Sequence, residues 1–337
     1  MNIHIVRTGG TIGAARADGA RGSVLAPAGP NAAPLAVPDG IRVSESRPMH
    51  ILSENMTLAH WRDLLLHLDG LALDGKDGLI VTHGTDTLAY TACLLSLALS
   101  PPKLPVLLVS ANRPPEDPAS NGRGNLAAAF AAIGENIPPG VYAVYGNSDG
   151  RTYLHAGAEL LQCPCGGDDF FSVFYGGAAG DPLAEIVGGK LHLRRAHPAP
   201  PLPGGFAAAF DGRFRRVLAI RPYVGLDYGA YALDGKDAVL HGLYHSGTAA
   251  AFDDEIDGNA SILCLARRCA HAGIPLCVAP FPQALARGGR GGKTPYETTA
   301  RMLDAGIVPL YGVSFEMALV MLTLGLAPRP GRDAARP

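Results

Sequence analysis

Two short segments hold the residue types that acyl-transfer chemistry asks for. Thr8-Gly9-Gly10-Thr11-Ile12-Gly13 follows the apolar run 3–6, and His83-Gly84-Thr85-Asp86-Thr87 follows the apolar run 79–82. A threonine hydroxyl attacks an acyl carbon when a base stands near it and backbone N–H groups hold the oxyanion. Gly9, Gly10 and Gly84 permit the tight backbone approach this needs. Asp86, beside Thr85, can bind a substrate ammonium or help place a proton relay. The first segment is not a dinucleotide loop, because G-x-G-x-x-G requires glycine where Thr8 stands. The alternative is that both segments are ordinary strand-to-helix loops with threonine N-caps.

The elements that must position these residues are legible as an alternation of short and long apolar segments. Runs at 3–6, 79–82, 105–109 and 141–145 read as strands, and 61–68, 88–99 and 125–133 read as helices. Continuous apolar strands are buried on both faces, which implies an α/β unit with a mostly parallel sheet and flanking helices. In such a sheet the loops at the carboxyl ends of the strands meet at a topological switch point, so Thr11 and Thr85 are expected across one crevice. Residues 1–195 form the larger N-terminal domain, which carries the threonines. Residues 196–214, including the stretch His-Pro-Ala-Pro-Pro-Leu-Pro, read as a Pro/Gly-rich linker. Residues 215–330 read as a smaller C-terminal α/β domain. The Ala/Gly/Pro-rich segment 14–38 reads as a structureless insertion of the kind that forms lids or binding loops. No repeat at a fixed period is visible.

Composition narrows the partners. The 337 residues are 47% hydrophobic and 17% charged, enough apolar material for two cores. With 28 Lys+Arg against 30 Asp+Glu, the net charge of −2 provides no field to hold phosphates, so nucleic acid is not expected. The six cysteines lie mostly in apolar runs, which argues against a disulfide framework. The first residues do not resemble a secretory signal, and the best apolar stretch, 315–326, is too short to span a bilayer. A cytoplasmic protein without membrane insertion is the expectation.

Taken together, the two threonine segments resemble those of the bacterial-type L-asparaginases, and the resemblance spans nearly the whole chain. It includes Ser53-Glu54-Asn55-Met56-Thr57 with Trp61, and Tyr296-Glu297-Thr298-Thr299-Ala300-Arg301-Met302-Leu303 leading into Ala305-Gly306-Ile307-Val308-Pro309. These pieces look more like the type I enzymes and the asparaginase-like D subunit of archaeal glutamyl-tRNA amidotransferase than like the type II enzymes. The resemblance implies that Thr11 is the nucleophile, Thr85 the second catalytic threonine, and Asp86 the carboxylate that grips the substrate α-amino group. It implies that Ser53 holds the α-carboxylate and that Glu54 is a second substrate contact, where Gln or Ser is more common. Gly10 and Gly84 belong to the same substrate-binding turns. It also implies a homodimer or homotetramer in which a neighbouring C-terminal domain completes each pocket.

Two departures stand out. Gln162 falls where the family has a lysine beside the second threonine and its aspartate, and the segment 14–38 contains no tyrosine to match the lid tyrosine, Ser23 falling nearest. Cys163 and Cys165 with His155 are too thin a set for a metal site. The tract Arg287-Gly288-Gly289-Arg290-Gly291-Gly292 reads as a flexible loop, and His245 as a residue near a glycine-rich turn. The reading is an amidohydrolase that acts on a small amide, Asn/Gln-like or bulkier, through a threonine acyl-enzyme with no cofactor and no metal. The alternative is an asparaginase-like amino-acid-binding or regulatory protein with little turnover.

Overall fold

The computed structural model describes residues 1–19, 22–27, 35–100, 102–173, 181–196, 212–252, 258–282, 285 and 294–326. Contacts divide the chain into two compact units, residues 1–208 and 209–337. Apart from residues 196 and 212–214, the stretch read as a linker lies outside the described residues, as does the tract 287–292.

The first unit is built on an eight-stranded mixed sheet. Its strands are β1 (Asn2–Arg7), β4 (Arg42–Ser46), β5 (Gly78–Thr82), β6 (Pro105–Val109), β7 (Gly140–Gly146), β8 (Thr152–Ala156), β9 (Ala184–Val187) and β10 (Lys190–Leu193). The order is β10-β9-β8-β7-β6-β5-β1-β4. The five strands from β4 to β7 pair in parallel, and β7 through β10 pair antiparallel. Three helices join the parallel strands: α1 (Leu58–Asp69), α2 (Leu88–Ala98) and α3 (Gly122–Gly134).

All five residues of β5 and of β6 are buried, because helices cover both faces of the sheet. Within the apolar runs the side chains still alternate. Ile3, Ile5, Ile80, Leu107 and Val109 pack with Leu126, Phe130 and Ile133 of α3. Val6, Leu79, Val81, Val106 and Leu108 pack with Leu64 and Leu68 of α1 and Leu88 and Leu95 of α2. Helix α1 starts at a reciprocal cap in which Thr57 Oγ1 accepts from His60 N–H and His60 Nδ1 accepts from Thr57 N–H. It buries Trp61, Leu64 and Leu68, the stripe expected for a helix with one face on a sheet. The chain leaves β1 toward β4 on one side and returns as β5 on the other, so β1 is the topological switch point.

The insertion expected to be structureless over 14–38 is corrected by a hairpin. Strands β2 (Ala14–Gly19) and β3 (Gly22–Pro27) pair antiparallel in register from Ala14↔Pro27 to Gly19↔Gly22. Arg16, Ala17 and Asp18 are exposed. A solvated ribbon needs only backbone pairing, so it shows none of the apolar alternation by which a half-buried strand is recognised.

The second unit has a four-stranded parallel sheet in sequence order, β11 (Val217–Ile220), β12 (Ala238–His241), β13 (Leu276–Phe281) and β14 (Val308–Tyr311). Helices α4 (Ile262–Ala272) and α5 (Glu297–Asp304) lend Ile262, Leu265, Cys269 and Met302 to one core, and α6 (Phe315–Thr323) lends Phe315, Ala318 and Leu322 to the other. Among the described residues, no helix is long and apolar enough to cross a membrane.

Candidate active site

The exits of β1 and β5 are neighbours in the sheet, and they are stitched together before either turn begins. Thr8 donates both its N–H, at 3.3 Å, and its Oγ1, at 2.7 Å, to the carbonyl of Thr82. Ile51, from the segment after β4, donates to Thr8 O at 3.1 Å and accepts from Gly10 N–H at 2.8 Å. The two glycines that follow have φ of +110° and +75°, values L side chains rarely adopt. They are also crowded. A Cβ on Gly9 would lie 2.2 Å from Ile51 O, one on Gly10 2.2 Å from Gly84 N, and one on Gly84 2.3 Å from Ser53 Oγ. Three backbone turns thus touch at positions with no room for a methyl group. Thr11 and Thr85 are the next residues on two of these turns, and both are half-buried.

The third turn holds the carboxylate. Ser53, 3% exposed, opens a short 3-10 turn over Ser53–Asn55. Its Oγ accepts from Asp86 N–H at 3.2 Å and donates to Asp86 Oδ2 at 3.3 Å, while Thr87 Oγ1 donates to Ser53 O at 2.9 Å. Gln162 reaches the same loop from the segment after β8, its Nε2 donating to the backbone carbonyl of Asp86 at 2.7 Å. Its Oε1 is buried without a hydrogen-bond partner. Asp86 is therefore anchored on both its N–H and C=O sides. Glu54 is exposed next to Ser53. Thr85 does not cap α2. The N-cap is Thr87, whose hydroxyl serves Ser53 instead of the helix.

His83 lies wholly inside this junction. Its Nδ1 is 2.8 Å from Gly84 O, and because a carbonyl only accepts, the proton sits on Nδ1. Nε2 is then a bare lone pair, buried with no partner. Burial pushes the imidazole pKa down to about 4, so the ring is neutral at pH 7. Sequence spacing singles out Thr11, Thr85, Asp86, Ser53 and Gln162. It passes over His83 and Thr87, whose partners are set by turns that meet only in the fold.

Other singled-out residues fall elsewhere. Ser23 is exposed on β3. His155 shares a hydrogen bond of 2.9 Å with Ser172 Oγ in the interior, and the Cys163 thiol donates to Gly167 O at 3.2 Å. Among the described residues, no three His, Cys, Asp or Glu side chains are grouped to hold a metal ion. His245 lines a cavity of the second unit with Ser246, Pro282, Leu285, Thr294 and Tyr296.

The fold and the site define a two-unit α/β protein that presents paired threonine turns at a sheet switch point. The chain belongs to the asparaginase family: the family model "Asparaginase, N-terminal" matches residues 2–198. The D subunit of the glutamyl-tRNA(Gln) amidotransferase of Methanococcus maripaludis is 33% identical over 190 residues, 55% of this chain and 44% of the relative. Its counterpart in Saccharolobus islandicus is 28% identical over 283 residues, 82% of this chain and 60% of the relative. The chain thus spans 44% to 60% of the length of these two curated relatives. The thermostable L-asparaginase from Thermococcus kodakarensis shares the fold with a TM-score of 0.74 at 22% identity, over 98% of this chain and 94% of that one. A probable cytoplasmic L-asparaginase from Campylobacter jejuni gives 0.66 at 20% identity, over 98% and 96%.

Proposed function

We propose that the chain is an amidohydrolase that cleaves a side-chain-type amide through an acyl-enzyme at Thr11. The observation that supports this reading is the contact of the Gly10, Gly84 and Ser53 turns, two of which carry Thr11 and Thr85 as their next residues, together with the double anchoring of the Asp86 backbone. In the reaction, Thr11 Oγ bonds to the amide carbon and the hydroxyl proton moves to the leaving nitrogen. Ammonia or an amine departs, and water then hydrolyses the ester. Asp86 binds the substrate ammonium, Ser53 and Glu54 flank it, and Thr85 lies on the proton path. The residues of 1–195 form the domain that does this chemistry, in the cytoplasm and within a homodimer or homotetramer.

Gln162 decides which amide. A neutral carboxamide accepts no proton at pH 7, and general-base help is worth roughly 10² to 10⁴ in rate. Plain L-asparagine is therefore a poor substrate, and a bulkier amide, or one whose own amine takes the proton, is a better one. The amidotransferase relatives favour a second reading, in which the same hydrolysis supplies ammonia to another protein chain.

The test is ammonia release from L-Asn, D-Asn, L-Gln and larger β- and γ-amides, with mass spectrometry of the acyl-enzyme. A substrate-dependent mass increment on the peptide bearing Thr11 is expected, absent in Thr11→Ala. An L-Asn kcat/KM of about 10⁴ M⁻¹s⁻¹ or more, within the ordinary enzyme range, would show that Gln162 is no handicap.

A further inference from the structure

Gln162 opens a loop over 162–170 whose base is closed by backbone pairing. Leu161 N–H donates to Phe171 O at 2.9 Å and Val173 N–H to Glu159 O at 2.8 Å. The returning side is held firmly. Asn147 donates through Nδ2 to Phe170 O at 3.0 Å and accepts through Oδ1 from Phe170 N–H at 3.1 Å. The Asp169 carboxylate accepts from Ser148 N–H at 2.6 Å and from Ser148 Oγ at 2.7 Å. The leading side carries the 2.7 Å bond from Gln162 to the Asp86 carbonyl. Between the two sides runs Cys163-Pro164-Cys165-Gly166-Gly167, where Gly167 N–H donates to Pro164 O at 2.9 Å and the Cys163 thiol donates to Gly167 O at 3.2 Å.

The two thiols of this turn differ in reach. Cys165 is the exposed thiol of the six, Cys163 is half-buried, and both are reduced. Residues two apart have Cα atoms at most about 7 Å from each other, a range that overlaps what a disulfide spans. Burial pushes the Cys163 thiol up, and the carboxylates of Asp168, Asp169 and Asp86 push it the same way. Cys163 therefore keeps its proton, which suits it to resolve a mixed disulfide, while the exposed Cys165 meets an oxidant first.

We propose that Cys163 and Cys165 are a reversible dithiol–disulfide pair that governs the grip of Gln162 on the Asp86 loop, its effect on turnover resting on the function proposed above. The Cys165 thiolate attacks one sulfur of a low-molecular-weight disulfide, whose S–S bond breaks as one thiolate leaves. Cys163 then gives its proton to solvent, and its thiolate attacks Cys165 Sγ and expels the second thiolate. Two cysteine thiols are oxidised and one external disulfide is reduced to two thiols. An exposed disulfide belongs to the labile class, so an external dithiol reverses the step. The new bond withdraws Cys163 Sγ from Gly167 O. Because Asn147 and Ser148 hold the returning side, the displacement falls on the leading side, one peptide bond from Gln162.

The probe is oxidised glutathione, incubated with the reduced full chain and followed by mass spectrometry of the intact protein and its peptides. Loss of two hydrogens from the peptide bearing Cys163 and Cys165, reversed by dithiothreitol, is expected. Cys163→Ser should stall at a glutathione adduct on Cys165, and Cys165→Ser should form no bond at this turn. Hydrogen exchange at the amides of 84–87 should quicken on oxidation of the parent and stay unchanged in Cys165→Ser. Ammonia release should fall about fivefold on oxidation, as for one lost hydrogen bond, and recover with dithiothreitol. A stable glutathione adduct in the parent chain, no modification of the turn at all, or equal exchange in the oxidised and reduced forms would each overturn the proposal. Exchange reads the step without substrate, so a reduced chain that turns over no amide would overturn the proposed function and leave the thiol pair standing. Circular dichroism of the serine variants checks that they fold.

Discussion

The six residues Ala72-Leu73-Asp74-Gly75-Lys76-Asp77 recur without change as Ala232-Leu233-Asp234-Gly235-Lys236-Asp237, once in each unit. They fold alike. Lys76 N–H donates to Leu73 O at 3.1 Å and Lys236 N–H to Leu233 O at 3.0 Å, around Gly75 with φ +70° and Gly235 with φ +66°. Each turn then clamps the first strand of its sheet. Asp77 N–H donates to Asn2 O at 2.8 Å while its Oδ2 accepts from Asn2 N–H at 2.7 Å. Asp237 N–H donates to Arg216 O at 2.9 Å while its Oδ2 accepts from Arg216 N–H at 2.8 Å. Each strand entered this way leads into a buried His-Gly pair, His83-Gly84 and His241-Gly242, and burial pushes both imidazoles down to about 4. Beyond that point the units diverge, one into Thr85-Asp86 and the other into Leu243-Tyr244. The entry side of these parallel strands sets pairing and register; the units differ on the exit side, where loops can vary without disturbing the sheet and where the proposed chemistry of the first unit lies.

The largest effect that would sharpen this contrast is on activity. Thr11→Ala should lower turnover by at least about 10³-fold, as removal of a nucleophile does, whereas Lys236→Ala on the entry turn of the second unit should leave it near parental. Steady-state ammonia release measures both, and equal losses would break the contrast.

Next in size is acid sensitivity. His83 and His241 are pushed down to about 4 and His155 to about 3, all three mainly by burial. A depressed histidine is neutral when folded and protonates on unfolding, so its contribution to stability is full above about pH 6.5. It falls as pH drops toward 4, by up to about 1.4 kcal/mol per pH unit for each group. The first unit holds two of these histidines and the second one. His4, also in the first unit, is depressed by burial as well, so urea melts from pH 7 to pH 4 should show the first unit losing stability more steeply than the second.

Gly10→Ala comes third. It combines a positive φ with a Cβ 2.2 Å from backbone, while Gly75 has a similar φ and open space around it. Gly75→Ala should cost about 1 kcal/mol through its dihedral alone. Gly10→Ala should cost about 2 to 4 kcal/mol by adding overpacking to strain, with activity lost besides. Thermal melts distinguish the two. The smallest effect probes the repeated turn itself: Asp77→Ala and Asp237→Ala should each remove a similar amount, about 1 kcal/mol. A cost in one unit and none in the other would show that the repeat is an identity of letters alone.

How far the sequence carries depends on whether a feature is local. Strands β5, β6, β7 and β11 are largely apolar runs, and β1 carries the apolar Ile3, Ile5 and Val6 between polar residues, so the bounds of these five are readable to within a residue or so. Strand β4, Arg-Val-Ser-Glu-Ser, and the hairpin β2–β3 are polar or solvated and leave no such trace. Strands β8 to β10 extend the sheet antiparallel beyond the βαβ rhythm that gives the rest away. In the site, Thr11, Thr85, Asp86 and Ser53 stand out by type and spacing, but the closure of Gly84 on Ser53 joins residues 31 positions apart. The repeated hexapeptide is plain in the letters, yet it has no fixed period to reveal it because it occurs only twice.

The meeting of Gly9, Gly10 and Gly84 also bears on how the pocket could be retuned. A larger residue must displace backbone at Gly9 and Gly10 and the Ser53 side chain at Gly84, so a library randomised there would return inactive clones whatever the substrate. Glu54 is exposed, so it can change size and charge while the glycine junction stays in place, whereas Gln162 holds the Asp86 carbonyl and its replacement gives up that anchor. On the proposed function, variation at 54 would explore new amides at little cost to folding, while variation at 162 trades against the hold on Asp86, which makes codon 54 the place to begin.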